Sequence, residues 1–418
     1  MPSKQSRLHV PQAPARPGDA PDFSYLNLSA AGAMARPDVT VSAAQTDELA
    51  HGLIRILDDN HEAQGAWNPH LDPKDLQVGL RHMVLTRVFD ERMQRVQRQG
   101  KTSFYVKSTG EESVSVAQAM ALQPGDMLFP SYRNQGLFIV RGTSLTDMMS
   151  QCLSNTRDMC KGRQLPVMYH SGPGNVFSIS GNLGTQFPQA VGWAMASAIK
   201  GEQHVAAAWI GDGTTAEADF HHAVTFASVY RAPVLLNVVN NQYAISTFQA
   251  FAGGERQTFA ARGPGAGIAG LRVDGNDFLA VYAVTQWAAE RARAGKGATL
   301  IELVTYRGSA HSTSDDPTRY RPKDEWDAFP LGDPITRLKQ HLIGLGKWSE
   351  DRHAALEQEA TELVAASWKE ATGYGTLNEG PHLDGSLMFE DIFKEMPEHL
   401  KRQREQWRSE RDAQRQES

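Results

Sequence analysis

Hydrophobic residues in the middle of the 418-residue chain form two short continuous runs, with a helical pattern between them. The runs at residues 205–210 and 233–239 have the length and composition of buried strands, and polar residues follow each run. Between the runs, apolar side chains follow the i, i+3, i+4, i+7 spacing of an amphipathic helix, at Phe220, Ala223, Val224 and Ala227. This order predicts a strand–helix–strand unit with parallel strands, whose right-handed crossover brings both carboxyl ends to one edge of a sheet.

Polar groups follow both predicted strands, at the edge where open α/β sheets bind their ligands. Gly211, Asp212 and Gly213 follow the first strand, and Asn240 and Asn241 follow the second. Magnesium prefers six oxygen ligands, takes one or two carboxylates from protein, and completes its shell with water and ligand phosphate. An Asp, an Asn amide oxygen and a backbone carbonyl therefore suit a magnesium diphosphate. The alternative is two ordinary turns, because Gly-Asp-Gly and Asn-Asn are both common turn sequences.

Composition and charge argue against several classes of partner. The net charge of −6 gives no reason to expect nucleic acid or an anionic membrane surface as a partner. No apolar stretch approaches the length of a membrane span. The N-terminal segment has neither the apolar core of a signal peptide nor the composition of a transit peptide. We therefore expect a cytoplasmic protein, or an organelle-matrix protein if the chain is a mature form.

Patterning divides the chain into three regions. Residues 1–45 are rich in Pro, Ala and Gly, which predicts an extended N-terminal arm. Residues 46–345 alternate predicted helices and strands, which indicates one α/β domain with a parallel sheet. Residues 346–418 contain a predicted helical stretch and a charged tail, so they form a C-terminal helical region.

Six further segments, in order along the chain, combine charged, aromatic and small residues in distinctive ways. They are SFYVKSTGEE (103–112), PSYRNQG (130–136), KGRQLPVMYH (161–170), SISGNLGTQFPQAVG (178–192), NNQYAIST (240–247) and TYRGSAHSTSDDPTRYR (305–321). Together they resemble the alpha subunits of the decarboxylase component of branched-chain 2-oxo acid dehydrogenase complexes. Gly-Asp-Gly, 26 intervening residues and Asn-Asn also resemble the thiamine diphosphate motif. The resemblance implies a three-layer, parallel-sheet thiamine diphosphate-binding fold over roughly residues 45–345.

The resemblance assigns metal and diphosphate ligands to the predicted sheet edge. Asp212, Asn241 and the carbonyl oxygen of Tyr243 would hold Mg²⁺, which binds the diphosphate of the cofactor. Tyr132 and Arg133 would lie beside that diphosphate, where the planar donor fork of arginine suits phosphate oxygens.

The resemblance also implies a catalytic histidine and further cofactor contacts. His311, which forms the predicted catalytic set with Tyr132 and Arg133, matches a histidine at the mouth of the active site. Its imidazole can donate a proton or stabilise developing charge near neutral pH. Leu183 would contact the middle of the cofactor, and Arg307 would anchor the loop that carries His311. The other expected cofactor contacts are Gly181, Gly211, Gly213, Arg307 and His311.

A second ion site is implied by the loop that precedes the helix expected from residue 185. Ser180, Thr185 and Gln186 retain the side-chain ligands of a structural potassium ion in mitochondrial members of the family. Asn182 replaces the family's proline, at a position where a carbonyl oxygen alone would suffice. The sequence leaves open whether K⁺ occupies this loop.

The implied activity is thiamine diphosphate-dependent oxidative decarboxylation of branched-chain 2-oxo acids, with transfer of the acyl group to a lipoyl arm of an acyltransferase core. A separate beta subunit in this family supplies the glutamate at the cofactor's aminopyrimidine, and this chain has no obvious second domain to supply it. We therefore expect a heterotetramer of two alpha and two beta chains. The alternatives are a pyruvate or acetoin dehydrogenase alpha subunit, a self-sufficient decarboxylase, and a non-catalytic alpha-like scaffold.

Overall fold

The computed structural model describes residues 8–253 and 258–417, which form a parallel sheet between layers of helices. The strands are β1 (Met127–Phe129), β2 (Ala206–Gly211), β3 (Val234–Asn240), β4 (Tyr243–Ala244), β5 (Thr247–Phe248), β6 (Ala269–Asp274) and β7 (Thr299–Val304). The helices are α1 (Asp47–His51), α2 (Pro73–Arg98), α3 (Glu112–Ala121), α4 (Gln135–Val140), α5 (Leu145–Leu153), α6 (Gln186–Ile199), α7 (Ala218–Val229), α8 (Ala250–Gly253), α9 (Arg262–Gly265), α10 (Phe278–Arg293), α11 (Pro334–Gly344), α12 (Glu350–Thr372) and α13 (Glu398–Glu417). Short 3₁₀ turns occupy Ala43–Thr46, Gly213–Ala216, Pro317–Arg319 and Gly385–Phe389.

The main sheet has five parallel strands in the order β1-β2-β3-β7-β6. Strands β2 and β3 pair directly, with Ala206 opposite Val234 and Gly211 opposite Val239, and helix α7 connects them. Their observed ends differ by one residue from the two apolar runs. The predicted strand–helix–strand unit is therefore confirmed, and it brings the residues after β2 and β3 to the same edge.

Two hydrophobic cores lie on opposite faces of the sheet. On β2, Ala207 and Trp209 belong to the core that also contains apolar side chains of α2, α3 and α10. Ala208 and Ile210 of the same strand belong to the core formed with α6 and α7. Burial of each large aliphatic side chain stabilises the fold by about 1.5–3 kcal/mol, so both faces of the sheet must be covered by helices. This arrangement is the predicted three-layer α/β fold.

The N-terminal arm packs against the sheet edge without forming a helix or strand over residues 8–42. Leu26 is buried in a third apolar cluster together with Tyr243, Phe248 and Tyr306. The hydroxyl of Tyr25 donates a hydrogen bond to Oε1 of Gln242 at 3.1 Å. The arm therefore contacts the segment that follows β3, including the short antiparallel β4–β5 hairpin.

The C-terminal region continues the helical layer on one face of the sheet. Leu356, Ala360 and Val364 of α12 are buried in the same core as α2 and α5. Helix α13 lies against the last 3₁₀ turn, where the rings of Phe389 and Trp407 are 6.2 Å apart. Across the described ranges, no helix has the length and apolar character needed to cross a membrane.

Candidate active site

Asp212 and Asn241 lie next to each other in the fold because they follow paired strands. Gly211, the last residue of β2, pairs with Val239, and Asn240 is the last residue of β3. Both side chains are in the protein interior, with Asp212 2% exposed and Asn241 7% exposed. The parallel register therefore brings a carboxylate and an amide to one buried edge of the sheet.

The turn after Asp212 requires a glycine for a steric reason. A Cβ atom on Gly213 would lie 2.4 Å from the Cβ of Ala244 in the β4–β5 hairpin. Carbon atoms that are not bonded to each other do not approach this closely, so a residue larger than glycine would push the turn and the hairpin apart. Since Tyr243 precedes Ala244, the contact sets the distance between the two segments that carry the predicted metal ligands.

One carboxylate oxygen of Asp212 has no protein partner. Oδ2 is buried and has no hydrogen-bond partner among the described residues. Burial raises the pKa of the Asp212 carboxyl to about 6, while the backbone N–H of Gly213 and the charge of Arg307 act in the opposite direction. The group is therefore mainly ionised at neutral pH, and a buried unpaired carboxylate oxygen is costly without a cation. The donor set fits a Mg²⁺ ion at this position.

The amide of Asn241 is held by a glutamate, Glu111, that the sequence analysis did not select. Nδ2 of Asn241 donates to Oε1 of Glu111 at 2.6 Å, which turns the amide oxygen of Asn241 the other way. Burial raises the pKa of Glu111 to about 7, and the positive charge of Arg133 opposes this shift. The available signal was the pair Glu111-Glu112 at the start of a helix made otherwise of small, apolar and uncharged polar residues.

Arg307 fixes the segment after Asn241 from within the core. Its Nη1 donates to the carbonyl oxygen of Tyr243 at 2.9 Å. Its Nη2 donates to the carbonyl oxygen of Ile245 at 2.8 Å and to the hydroxyl of Tyr320 at 2.7 Å. A carbonyl oxygen has two lone pairs, so the Tyr243 carbonyl can accept from Arg307 and still contact a metal.

A partly enclosed pocket lies at this edge of the sheet. Glu111, Ile210, Thr214 and Val239 are among its lining residues. The predicted site residues in its lining are Tyr132, Arg133, Ser180, Leu183, Gln186, Gly211 and Asn241. The predicted residues outside its lining are Gly181, Thr185, Asp212, Gly213, Tyr243, Arg307 and His311.

The loop that precedes α6 is closed by hydrogen bonds within the protein. Oγ of Ser180 accepts from the backbone N–H of Asn182 at 3.1 Å, and the hydroxyl of Thr185 donates to the Asn182 carbonyl at 3.1 Å. The amide of Gln186 donates to the Trp209 carbonyl at 2.7 Å. Within residues 8–253 and 258–417, no group of three or more His, Cys, Asp or Glu side chains could hold a metal ion. Any cation here would therefore depend on mixed ligands such as carboxylate, amide, hydroxyl and carbonyl oxygens.

His311 is held between two arginines. Its Nδ1 lies 3.3 Å from Nη2 of Arg133 and 3.4 Å from Nη1 of Arg307. A guanidinium group can only donate, so Nδ1 accepts and the proton of the neutral ring is on Nε2. Burial, then the charges of Arg133 and Arg307, lower the pKa of His311 to about 3. The imidazole is therefore a neutral N–H donor at physiological pH.

Arg133 connects the histidine to the pocket. Its Nη1 donates to the carbonyl oxygen of Lys107 at 2.5 Å, and its Nε lies 3.5 Å from Oε1 of Glu111. Its guanidinium carbon lies 5.5 Å from the ring centroid of Tyr132, whose ring meets that of His311 edge-on at 6.0 Å. These contacts fix the guanidinium in the pocket wall and leave one Nη1 hydrogen for a phosphate oxygen.

Comparison with known proteins gives strong similarity over most of the chain. The 2-oxoisovalerate dehydrogenase subunit alpha of Pseudomonas aeruginosa is 60% identical over 400 residues, which cover 96% of this chain and 98% of that protein. The mitochondrial 2-oxoisovalerate dehydrogenase subunits alpha of Mus musculus and Homo sapiens are 39% and 38% identical over 357 residues. Those matches cover 84% of this chain and 79% and 78% of the two proteins.

Two family models match separate parts of the chain. Residues 4–44 match the model described as 2-oxoisovalerate dehydrogenase E1 alpha subunit N terminal. Residues 80–379 match the model described as dehydrogenase E1 component, which spans the sheet and the pocket. The chain therefore belongs to the dehydrogenase E1 component family.

Proposed function

We propose that this chain is the alpha subunit of a branched-chain 2-oxo acid decarboxylase, 3-methyl-2-oxobutanoate dehydrogenase (2-methylpropanoyl-transferring). The family implies thiamine diphosphate as cofactor, and the names of the relatives support a branched-chain substrate. The structural observation that carries the proposal is the partnerless, buried Oδ2 of Asp212 beside Asn241 at the carboxyl edge of the sheet. An ionised oxygen in that position suits the divalent cation that a diphosphate cofactor requires.

The residues of this chain would bind and orient the cofactor. Asp212, Asn241 and the Tyr243 carbonyl are the proposed Mg²⁺ ligands, and Arg133 and Tyr132 the proposed diphosphate contacts. When bound, thiamine diphosphate supplies the electron sink for loss of carbon dioxide. Further proposed cofactor contacts are Gly181, Leu183, Gly211, Gly213 and Arg307. The proposed K⁺ ligands are the side-chain oxygens of Ser180, Thr185 and Gln186.

The proposed catalytic residues of this chain are His311, Arg133 and Tyr132, and His311 is the proposed hydrogen-bond donor to the substrate. Because its Nδ1 faces two arginines, its Nε2–H is the group able to donate a hydrogen bond. Donation to a substrate oxygen that gains negative charge would lower the barrier, because the donor is already oriented and partly shielded from water. The acyl group would then pass to a lipoyl arm on the acyltransferase core.

The proposed assembly contains two alpha and two beta chains. Helices α6 and α7 carry exposed apolar side chains, with Ile199 84%, Val229 69% and Phe226 52% exposed. Phe226 and Val229 are three residues apart on α7 and therefore share one helix face, and exposed apolar side chains of this kind are typical of a protein interface, which supports a beta subunit as partner. Neither nucleic acid nor a membrane is a proposed partner.

The proposed location is the cytoplasm of a bacterium. The relative that is 60% identical is a bacterial protein, whereas the relatives near 38% identity are mitochondrial. A mitochondrial matrix location would apply only to a mature eukaryotic form.

The test is decarboxylation of 3-methyl-2-oxobutanoate and of pyruvate, with thiamine diphosphate, Mg²⁺ and an artificial electron acceptor. The chain is assayed alone and after co-expression with a beta-type subunit. We expect turnover only with the partner and a higher kcat/KM for the branched acid. The matched control is the same complex with Asp212→Ala, which should assemble without binding Mg²⁺ tightly.

Other outcomes would revise the proposal in distinct ways. Higher activity on pyruvate would keep the chemistry and change the substrate. Turnover by the chain alone would support a self-sufficient decarboxylase. An assembled, cofactor-loaded complex that turns over neither acid would contradict the proposal and favour a scaffold.

A further inference from the structure

We propose that Glu111 is a positioning residue for Mg²⁺, which sets the orientation of the Asn241 amide so that its oxygen faces the metal. This inference rests on the proposed function and extends it to a residue outside the predicted ligand set.

The side chain of Glu111 is held rigidly by the protein around it. It is buried, and it immediately precedes helix α3, which begins at Glu112. Its backbone N–H donates to the Ser108 carbonyl at 2.8 Å, and its own carbonyl accepts from Ser115 at 3.4 Å. The carboxylate therefore projects from a fixed backbone into the wall of the pocket.

The contact between Glu111 and Asn241 selects one of two amide orientations. Oε1 of Glu111 accepts a hydrogen bond from Nδ2 of Asn241 at 2.6 Å, and this contact favours the rotamer in which the amide nitrogen points toward the glutamate. The opposite rotamer would direct N–H groups, which have no lone pair to offer, toward the metal. Partners that orient metal ligands in this way typically change metal affinity by about 10- to 100-fold when they are removed.

An alternative role for Glu111 is to neutralise Arg133, but the distances favour the amide. Nε of Arg133 lies 3.5 Å from Oε1 of Glu111, whereas the nitrogen of Asn241 lies 2.6 Å from the same atom. Arg133 is also held by the carbonyl oxygens of Lys107 and His311 at 2.5 and 3.0 Å. Loss of Glu111 therefore removes the shortest contact of Asn241 and leaves the other contacts of Arg133 in place.

The experiment titrates Mg²⁺ into the full chain, purified with its beta-type partner, at saturating thiamine diphosphate. Intrinsic tryptophan fluorescence reports the Kd of Mg²⁺ independently of turnover. We expect Glu111→Ala to raise this Kd by about 10- to 100-fold. Glu111→Gln keeps an oxygen acceptor for the Asn241 amide, so we expect a change within about threefold.

A double-mutant cycle separates positioning from a general structural effect. In the Asn241→Ala background there is no amide to orient, so Glu111→Ala should change the Mg²⁺ Kd by less than about threefold. The matched control is Glu112→Gln, because Glu112 is the adjacent buried glutamate and pairs with Arg87 at 2.7 Å. It should alter the melting temperature without changing the Mg²⁺ Kd.

A nearly isosteric pair tests the same contact if Glu111→Ala does not fold. Asn241→Asp places two carboxylates against each other, and adding Glu111→Gln restores an amide–carboxylate hydrogen bond with its direction reversed. We expect the second change to tighten Mg²⁺ binding by about threefold or more in that background, and not in wild type.

The proposal is overturned if Glu111→Ala leaves the Mg²⁺ Kd unchanged, if its effect persists in the Asn241→Ala background, or if Glu111→Gln gives no tightening with Asn241→Asp. Failure of the wild-type complex to bind Mg²⁺ with thiamine diphosphate is a different result. That result would refute the proposed function itself, so Mg²⁺ binding by the wild-type complex is measured before any variant.

Discussion

Arg133 contacts His311 at two points, one on the ring and one on the backbone. Its Nη2 lies 3.3 Å from Nδ1 and donates to the His311 carbonyl at 3.0 Å. The first contact places positive charge against the imidazole, and the second fixes the loop that carries it. Arg133 therefore holds the loop that carries His311, and together with burial and Arg307 it keeps the imidazole neutral.

The first prediction concerns the protonation of His311. Since burial and two arginines lower its pKa to about 3, the ring should stay neutral from about pH 5 to pH 8. His311→Asn should lower kcat by about 10²- to 10⁴-fold while leaving the Kd of thiamine diphosphate nearly unchanged. The pH profiles of kcat/KM for wild type and for this variant should have the same shape. An ionisation near neutral pH that disappears in His311→Asn would contradict the neutral imidazole.

The second prediction concerns the buried Asp90. Its carboxylate accepts from the Tyr105 hydroxyl at 2.6 Å and from the backbone and hydroxyl of Ser108 at 2.6 and 2.7 Å. Burial nevertheless raises the pKa of Asp90 to about 6, from 3.8. Between about pH 4 and pH 6 the folded protein therefore holds a proton at Asp90 that the unfolded chain has lost. Ionisation of Asp90 therefore lowers the free energy of unfolding above about pH 6. This destabilisation is lost as the pH falls from about 6 to about 4.

The measurement compares wild type with Asp90→Asn, a nearly isosteric variant that does not titrate. As the pH falls from about 7 to about 4, the free energy of unfolding of wild type should rise relative to the variant, by up to roughly 3 kcal/mol. Thermal unfolding of both proteins at each pH gives the difference, in which the other titrating groups cancel. Parallel stability curves would show that the Asp90 carboxyl has an ordinary pKa.

The third prediction concerns the close contact between Gly213 and Ala244. A methyl group at position 213 would meet the Ala244 Cβ at 2.4 Å, so Gly213→Ala should displace the turn after Asp212 from the hairpin after Tyr243. We expect Mg²⁺–thiamine diphosphate binding to weaken by roughly 1–3 kcal/mol. Gly265→Ala is the control, because a Cβ there has nothing within 4 Å. Equal affinities of the two variants would show that the contact does not position the site.

The fourth prediction concerns the apolar surface of α6 and α7. Phe226→Glu introduces a charge into this surface, so we expect the complex with the beta subunit to dissociate while the isolated chain keeps its melting temperature. Leu363→Glu is the control, because Leu363 is a 42% exposed apolar residue on α12. Size-exclusion chromatography with light scattering measures the assembly. A stable complex with Phe226→Glu would exclude this surface from the interface.

Local patterning was sufficient for the part of the fold that carries the site. The strands on either side of α7 are continuous apolar runs with polar ends, so their identity and direction could be predicted from sequence. Strand β6 was not predicted, because Arg272 and Asp274 interrupt its apolar pattern. In the structure, Arg272 donates to the Asn27 carbonyl at 2.8 Å and Asp274 accepts from Arg337 at 2.7 Å. Both partners are far away in sequence, so no local pattern could reveal them.

The same distinction applies to the site. Asp212 and Asn241 could be selected because each directly follows a predicted strand. The Glu111-Glu112 pair at a helix start was a local signal for Glu111, but it does not reveal the contact with Asn241, 130 positions further along the chain. The low pKa of His311 also depends on Arg133, 178 positions away, and became apparent only from the packed structure. Residues whose roles depend on such long-range contacts require the three-dimensional arrangement.

The most direct test of the account is a crystal structure of the complex with thiamine diphosphate and Mn²⁺ in place of Mg²⁺, using the anomalous signal to locate the metal. We predict one metal peak at about 2.0–2.2 Å from Oδ2 of Asp212, Oδ1 of Asn241 and the carbonyl oxygen of Tyr243, with diphosphate oxygens and water completing its shell. A cofactor bound with its metal at another set of residues, or bound without a metal near Asp212, would contradict it.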